Sequence, residues 1–227
     1  MGKEGPRQLA LRLPHRAALG AEDFLVAASN AEAVAWLDRW PDWGMPGLAL
    51  HGPEGCGKTH LLRVWRARSG ASLIQPADLA ALEFAALADR PQPIALDACI
   101  GPLPERELLH LYNLLAAGGR HILLAGRDPP SHWPIALADL RSRLGALPAV
   151  AIAPPDDVLL AGILVKLFAD RQLRVEAAVI DYLLARMERS FAAAERLVGR
   201  LDTLALQLGR RVTIGLARVA IDEEEEE

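Results

Sequence analysis

The octapeptide Gly52-Pro53-Glu54-Gly55-Cys56-Gly57-Lys58-Thr59 constrains this chain more than any other stretch. It satisfies G-x-x-x-x-G-K-[ST], the spacing of a loop that wraps a phosphate. Glycines let the backbone turn so that successive N–H groups aim inward at anionic oxygens. A helix starting directly behind the loop presents its positive end to the same anion. Lys58 adds a compact charge for outer phosphates, and the Thr59 hydroxyl suits a magnesium ion. The flanks agree: Gly47-Leu48-Ala49-Leu50-His51 has strand character, and residues 60–68, beginning at His60, carry apolar and basic side chains at helical spacing. Lys58 is one of three lysines against 22 arginines, so its place here is not chance. The expectation is an ADP or ATP site formed by Gly52, Pro53, Glu54, Gly55, Cys56, Gly57, Lys58, Thr59 and His60.

Composition sets the bounds around that loop. With 227 residues, 52% of them apolar, the chain has material for one sizeable domain and a small second one. The longest apolar run, residues 158–165, stops at Lys166 and is too short to span a membrane. The N-terminus lacks a signal-peptide pattern, and Pro6 spoils an acylation signature. Two cysteines, one inside the loop, make no disulfide framework. A cytoplasmic location with no membrane partner is expected. Net charge is −4, yet residues 222–227 supply six negatives, and the remainder carries 25 basic against 23 acidic residues. Neither balance is that of a dedicated nucleic-acid binder. The acidic tail is expected to be solvated and disordered.

Residues 1–22 are rich in Pro, Gly and Arg and form an arm. Within it, Gln8-Leu9-Ala10-Leu11-Arg12-Leu13 alternates so that Leu9, Leu11 and Leu13 share one face of an extended segment. Such a stretch is either a docking peptide or an edge strand of its own domain. Ser29-Asn30 is a helix cap before a helix over 31–40. Trp36, Trp40 and Trp43 are expected in the core rather than stacked on a ligand. Beyond the loop, strands are predicted at 72–75, 93–97, 121–125 and 150–153, with helices at 77–88, 105–117 and 136–144. Alternating strands and helices imply a five-stranded parallel sheet covered on both faces, with a base over 23–154. Pro154-Pro155 ends this pattern. Residues 155–221 then read as a small all-helical lid, with helices at 156–171, 176–186 and 192–208, a short extended piece at 211–214 and a last turn at 215–221.

Pro93-Ile94-Ala95-Leu96-Asp97 is an apolar strand ending in an acid. In phosphate-loop proteins such an Asp helps hold the magnesium, so Asp97 joins Thr59 as a candidate Mg2+ ligand. Hydrolytic members usually carry a second acid next, to polarise the attacking water. Here that residue is Ala98, and a neutral Cys99 thiol is a poor base. Nucleotide binding is expected, with hydrolysis by the chain itself weak or absent. Arg141-Ser142-Arg143 lies on a helix, where two arginines at i, i+2 point apart and take separate roles.

The segment Phe24 to Asn30, the phosphate loop with His60-Leu61-Leu62, Asp97, Leu111-Tyr112-Asn113, Leu140-Arg141-Ser142-Arg143-Leu144 and Ala153-Pro154-Pro155-Asp156 follow one another as in the DnaA-related AAA+ family. Within that family the chain resembles the Hda-type regulatory inactivators of DnaA, over nearly all of residues 7–221. The resemblance implies a clamp-docking arm in which Gln8, Leu9, Leu11 and Leu13 occupy a pocket of the replicase sliding clamp. It implies that Arg143 is an arginine finger acting in trans on ATP bound to DnaA. It implies no helix-turn-helix domain after the lid, hence no direct sequence-specific DNA binding.

The chain departs from that pattern in two places. Ala125-Gly126-Arg127-Asp128 stands where relatives put a polar sensor at the end of the fourth strand, with Arg127 as a substitute candidate. The lid sensor arginine would fall around Ala193, and Arg196 is the nearest basic residue. Preference for ADP, or indifference, follows as an expectation. The function expected is a clamp-docked regulator of replication initiation, able to form homo-oligomers, that stimulates hydrolysis of DnaA-bound ATP. Its rivals are a self-contained ATPase resembling a DnaC-like helicase loader, and a non-catalytic clamp-binding adaptor.

Overall fold

In a computed structural model, residues 25–88, 90–98 and 102–225 are described. The chain divides into two compact units, one spanning Ala28–Ala153 and the other Pro154 onward together with Leu25–Ala27. The arm at residues 1–22, with Gln8, Leu9, Leu11 and Leu13, lies outside the described residues.

The first unit is built on a parallel sheet of β1 (Gly47–His51), β2 (Ser72–Ile74), β3 (Ile94–Asp97), β4 (Ile122–Gly126) and β5 (Ala149–Ala151). Their order across the sheet is β2-β3-β4-β1-β5. Its central strands are apolar up to His51 of β1 and Asp97 of β3 because both faces are covered. On one face Ala49, Ile94, Leu96, Ile122 and Leu124 pack with Leu108, Leu111 and Leu115 of α4 (Glu105–Ala117) and Leu140 and Leu144 of α5 (Ala138–Gly145). The alternate residues Leu48, Leu50, Ala95, Leu123 and Ala125 are just as buried, as a period of two demands. Here α2 (Lys58–Ser69) packs against β2, β3 and β4, and α1 (Ala31–Asp38) against β5. Trp43 and Trp65 are buried and stack at 5.4 Å, with Trp40 edge-on to Trp65 at 5.9 Å. The tryptophans are core, as expected, though Trp36 and Trp40 stay half-buried.

The helix predicted over 77–88 is two pieces, a 3-10 turn (Pro76–Ala81) and the short α3 (Phe84–Ala88). Helix-forming residues fill this stretch, yet Leu82 is extended. Packing decides against continuity: Leu79 is fully buried on one side of the break, and Phe84 stacks on His110 at 4.3 Å on the other.

The second unit comprises α6 (Asp157–Asp170), α7 (Ala177–Leu184), α8 (Phe191–Leu208) and α9 (Ile214–Glu225) around one apolar cluster. Asp156 caps α6 by accepting from the Leu159 amide at 2.7 Å, and Ser190 caps α8 through the Ala193 amide at 3.0 Å. The last helix corrects the sequence expectation. A single turn was expected at 215–221, followed by a disordered tail, but the backbone is helical through Glu225. Leu216, Ala217, Ala220 and Ile221 form a buried stripe that holds the helix in register, and glutamates behind it are good helix formers. Among the described residues no helix is long and apolar enough to cross a membrane.

Candidate functional site

Parallel pairing brings four strand ends to one edge of the sheet. His51 of β1 stands beside Gly126 of β4 and Ala151 of β5, and Asp97 of β3 stands beside Ala125. Ligands of open α/β sheets bind outside such carboxyl ends. The predicted loop departs from the end of β1 and runs straight into α2, as its sequence requires.

Two glycines shape it. A Cβ on Gly52 would lie 2.2 Å from the Ile152 carbonyl oxygen and 2.9 Å from Cys56 Sγ, so no side chain fits. Gly57 sits at φ 100° immediately before α2 and offers no side chain to cap it. The helix's first amides therefore face the loop without a side-chain acceptor from their own cap. Lys58 is buried, and its Nζ donates to the carbonyls of Gly52 at 2.8 Å and Pro53 at 2.7 Å, with Cys56 Sγ at 3.6 Å. These contacts curl the loop around the ammonium.

The Thr59 hydroxyl donates to Asp97 Oδ2 at 2.7 Å, so the two candidate metal ligands meet although 38 residues separate them. Among the described residues no group of three or more His, Cys, Asp or Glu side chains could hold a metal ion. A hydroxyl and one carboxylate beside a phosphate loop nevertheless fit Mg2+, which keeps waters and takes the rest of its shell from the phosphates. Ala98 follows Asp97 and donates its amide to the Ala125 carbonyl at 2.8 Å. It brings no proton acceptor to this edge. His60 is half-buried behind the loop.

Several features of the site had no signal in the sequence. The Gly52 amide donates to the Arg127 carbonyl at 3.1 Å, and the Arg127 guanidinium pairs with Glu54 at 2.7 Å. His51, under the loop, has its pKa lowered first by burial; His132 and Lys58 push the same way and Asp128 opposes them.

Arg143 has contacts of a different kind. It lies on α5, with Nε 2.9 Å from Asp139 Oδ1 and its guanidinium 5.9 Å from the centre of the Tyr112 ring. The Tyr112 hydroxyl has its pKa raised by burial, against the opposing charge of Arg143. Arg141 points elsewhere and donates to the Ile135 carbonyl at 3.0 Å. The start of α5 is clamped from α4, where the two carboxylate oxygens of Glu105 accept the amides of Ala136 and Leu137 at 2.9 and 2.7 Å. In the other unit Ala193 is buried inside the helical cluster, and Arg196 extends to Glu188 at 3.8 Å.

No protein-family model matches the chain. The chromosomal replication initiator protein DnaA of Caulobacter vibrioides (strain NA1000 / CB15N) is 29% identical over 238 residues, covering 89% of this chain and 46% of that protein. DnaA of Thermomicrobium roseum is 26% identical over 119 residues, covering 52% of this chain and 26% of that protein. The chain thus spans about half the length, or less, of the curated relatives it matches. Domain III of the Thermotoga maritima DnaA superposes with a TM-score of 0.72 at 17% identity, over 88% of this chain and 94% of that one. The chain has the α/β fold of AAA+ proteins and is similar in sequence to DnaA. The fold also superposes on a DnaA bound to AMPPCP and single-stranded DNA, with a TM-score of 0.66 at 23% identity over 89% of this chain and 67% of that one. A Thermotoga maritima RuvB variant has the same fold, with a TM-score of 0.66 at 15% identity over 86% of this chain and 67% of that one.

Proposed function

We propose that this chain is a DnaA-related AAA+ protein that binds ADP or ATP and regulates replication initiation, promoting hydrolysis of nucleotide held by a partner rather than its own. The observation that carries it is the pairing of a complete phosphate loop, buried Lys58 and Thr59 bonded to Asp97, with Ala98 in the place of a second acid. A DnaA with bound AMPPCP among its structural neighbours supports a nucleotide in that loop.

In this reading the amides at the head of α2 and Lys58 hold the phosphates, and Thr59 and Asp97 hold Mg2+. Bound Mg2+ supplies charge neutralisation on the outer phosphates. Ala98, next to Asp97, takes no proton from water, so the chain's own turnover is slow. Arg143 is the residue assigned to the partner. It is half-exposed on α5 and among the described residues contacts Asp139 and Tyr112, an arrangement that leaves it able to reach another protomer. An arginine delivered to ATP on DnaA stabilises charge developing in the transition state. Gln8, Leu9, Leu11 and Leu13 dock on the sliding clamp, which raises the local concentration of Arg143 near DnaA. The arm, the nucleotide-binding base, the helical lid and the acidic tail are the functional divisions of a cytoplasmic protein.

The test measures turnover of DnaA-bound ATP with and without this protein and DNA-loaded clamp. Acceleration only when all are present, with near-background hydrolysis by the chain alone, is the expected result. Brisk hydrolysis by the chain alone makes it a self-contained ATPase. Clamp binding without acceleration makes it an adaptor.

A further inference from the structure

We propose that α9 is a self-docking surface: two copies of this chain associate by laying the outer faces of their α9 helices side by side and antiparallel. The homo-oligomer expected from the sequence had no surface assigned to it, and this one does not depend on the nucleotide loop.

Packing makes the face. Leu216, Ala217, Ala220 and Ile221 turn inward to the apolar cluster of the second unit. That leaves Ile214, Gly215, Arg218, Val219 and Asp222 outside, at the i, i+4 spacing of one helical face. Ile214 and Val219 are 43% and 45% exposed, large apolar side chains standing in water. Beside them a groove of about 680 Å³ runs against α7, where the Arg186 guanidinium lies 4.0 Å over the Tyr182 ring. A Cβ on Gly215 would meet only the Thr213 hydroxyl, at 3.8 Å, so the fold does not require a glycine there. On an outer face a glycine lets another backbone come close.

The charges of α9 run against its own dipole. Arg210 and Arg211 precede the helix, Arg218 stands at its middle, and residues 222–225 are four acids at its end. The first turn holds no acid and the last turn no base. A helix is stabilised by the reverse order, acids at its positive start and bases at its negative end. Arg218 does face Asp222 at 3.7 Å, but with the two side chains 75% and 65% exposed that pair contributes little. The stability of α9 itself therefore leaves this order of charges unexplained.

A second copy explains it. An antiparallel neighbour sets its arginine end, and the positive pole of its helix, against the acidic end of the first, and the relation is mutual. Such a two-fold contact uses one patch twice and closes at two copies. With the crossing at Val219, Asp222 of one copy falls within about 3 Å along the axis of Arg218 in the other, at about 1.5 Å per residue. Residues 223–225 then lie alongside the partner helix's first turn and the arginines ahead of it. Ile214 and Val219 leave water in the same step.

Sedimentation velocity of the full chain without nucleotide, at about 50 mM and about 500 mM NaCl, reads the association. The native chain is expected to pass from monomer to dimer with rising concentration, to stop at the dimer, and to associate about tenfold more weakly at the higher salt. Arg218→Glu and Asp222→Arg each set like charges against one another and should weaken the dimer about tenfold or more. Mixed in equal amounts, the two variants should form a heterodimer, because each then meets opposite charges in the other. Both positions are exposed, so the melting temperatures of the variants should stay close to the native value. A native chain that remains monomeric, association that continues past the dimer, or a dimer indifferent to both reversals overturns the proposal. So does failure of the two folded variants to pair when mixed.

Discussion

Thr59 reaches Asp97 across 2.7 Å, and that bond links the first turn of the helix behind the phosphate loop to the end of a strand that does not neighbour β1. Strand β4 lies between β1 and β3, so the two side chains meet over its end. Whatever moves the loop is therefore felt at β3.

The first prediction concerns that pair. If Thr59 and Asp97 share Mg2+ with a bound nucleotide, adding the metal should tighten nucleotide affinity in the native chain. Asp97→Asn keeps an acceptor for the Thr59 hydroxyl but removes the charge. The variant should stay folded and bind nucleotide with the same affinity in Mg2+ as in EDTA. Calorimetric titration under the two conditions checks this, and a native-like response to Mg2+ in the variant would take Asp97 out of the metal site.

The loop and sheet were legible because the relevant signals are local. Seven residues of spacing fix the loop, and the apolar runs of β1, β3 and β4 announce strands covered on both faces. The break at Leu82 was not legible, since it depends on where Leu79 and Phe84 find partners far along the chain. The length of α9 was hidden by its charge: a run of glutamates reads as solvated tail until the stripe from Leu216 to Ile221 has a core to pack on. The long-range contacts of Glu105 and Arg127 escaped notice for the same reason as the break at Leu82, although Arg127 itself is a sensor candidate in the sequence. Their partners are 31 to 73 residues away, and nothing in their own neighbourhoods points there.

Gly52 is the position where shape alone should be decisive. An added methyl would stand 2.2 Å from a backbone oxygen of Ile152, and the Ile152 amide is itself bonded to His51 at 2.7 Å. Neither side can retreat without opening the β1–β5 pairing. Gly52→Ala is expected to cost about 1–3 kcal/mol of stability, in the range of overpacking, and to abolish nucleotide binding. Urea denaturation followed by circular dichroism measures the first, and a loss under about 0.5 kcal/mol would mean that the loop yields more easily than its contacts imply.

Glu105 gives the structure a pH-dependent joint. Its carboxylate accepts the Ala136 and Leu137 amides, and these bonds hold its pKa below the ordinary 4.5, with the charge of Arg141 helping. A carboxyl depressed in the folded state stabilises above its unfolded pKa, and that contribution disappears as pH falls through the folded value. Melting temperatures taken from neutral pH down to about pH 3 should therefore fall more steeply for the native chain than for Glu105→Gln. The two curves should converge at the acid end, where both side chains are neutral. Parallel curves would show that the amides do not depend on the charge of Glu105.

Arg143 makes the sharpest separation between stability and function. Its bond to Asp139 is an exposed i, i+4 pair, worth about 0.3–0.5 kcal/mol in such settings. The Tyr112 ring below it, at 5.9 Å, adds a contact of similar scale. Arg143→Ala should accordingly melt within a degree or two of the native chain and bind nucleotide unchanged. Its effect on a partner should be of another order. If Arg143 is the arginine finger proposed above, its removal lowers turnover by about 10³-fold or more, and stimulation of DnaA-bound ATP hydrolysis should vanish. Arg143→Lys separates charge from geometry, because an ammonium keeps the charge but lacks the planar fork. It should recover only a small part of the stimulation, whereas Arg141→Ala, whose guanidinium is bonded to the Ile135 carbonyl, should retain most of it. Full stimulation by Arg143→Ala would move the catalytic cation elsewhere, and full recovery by Arg143→Lys would mean that charge without geometry is enough.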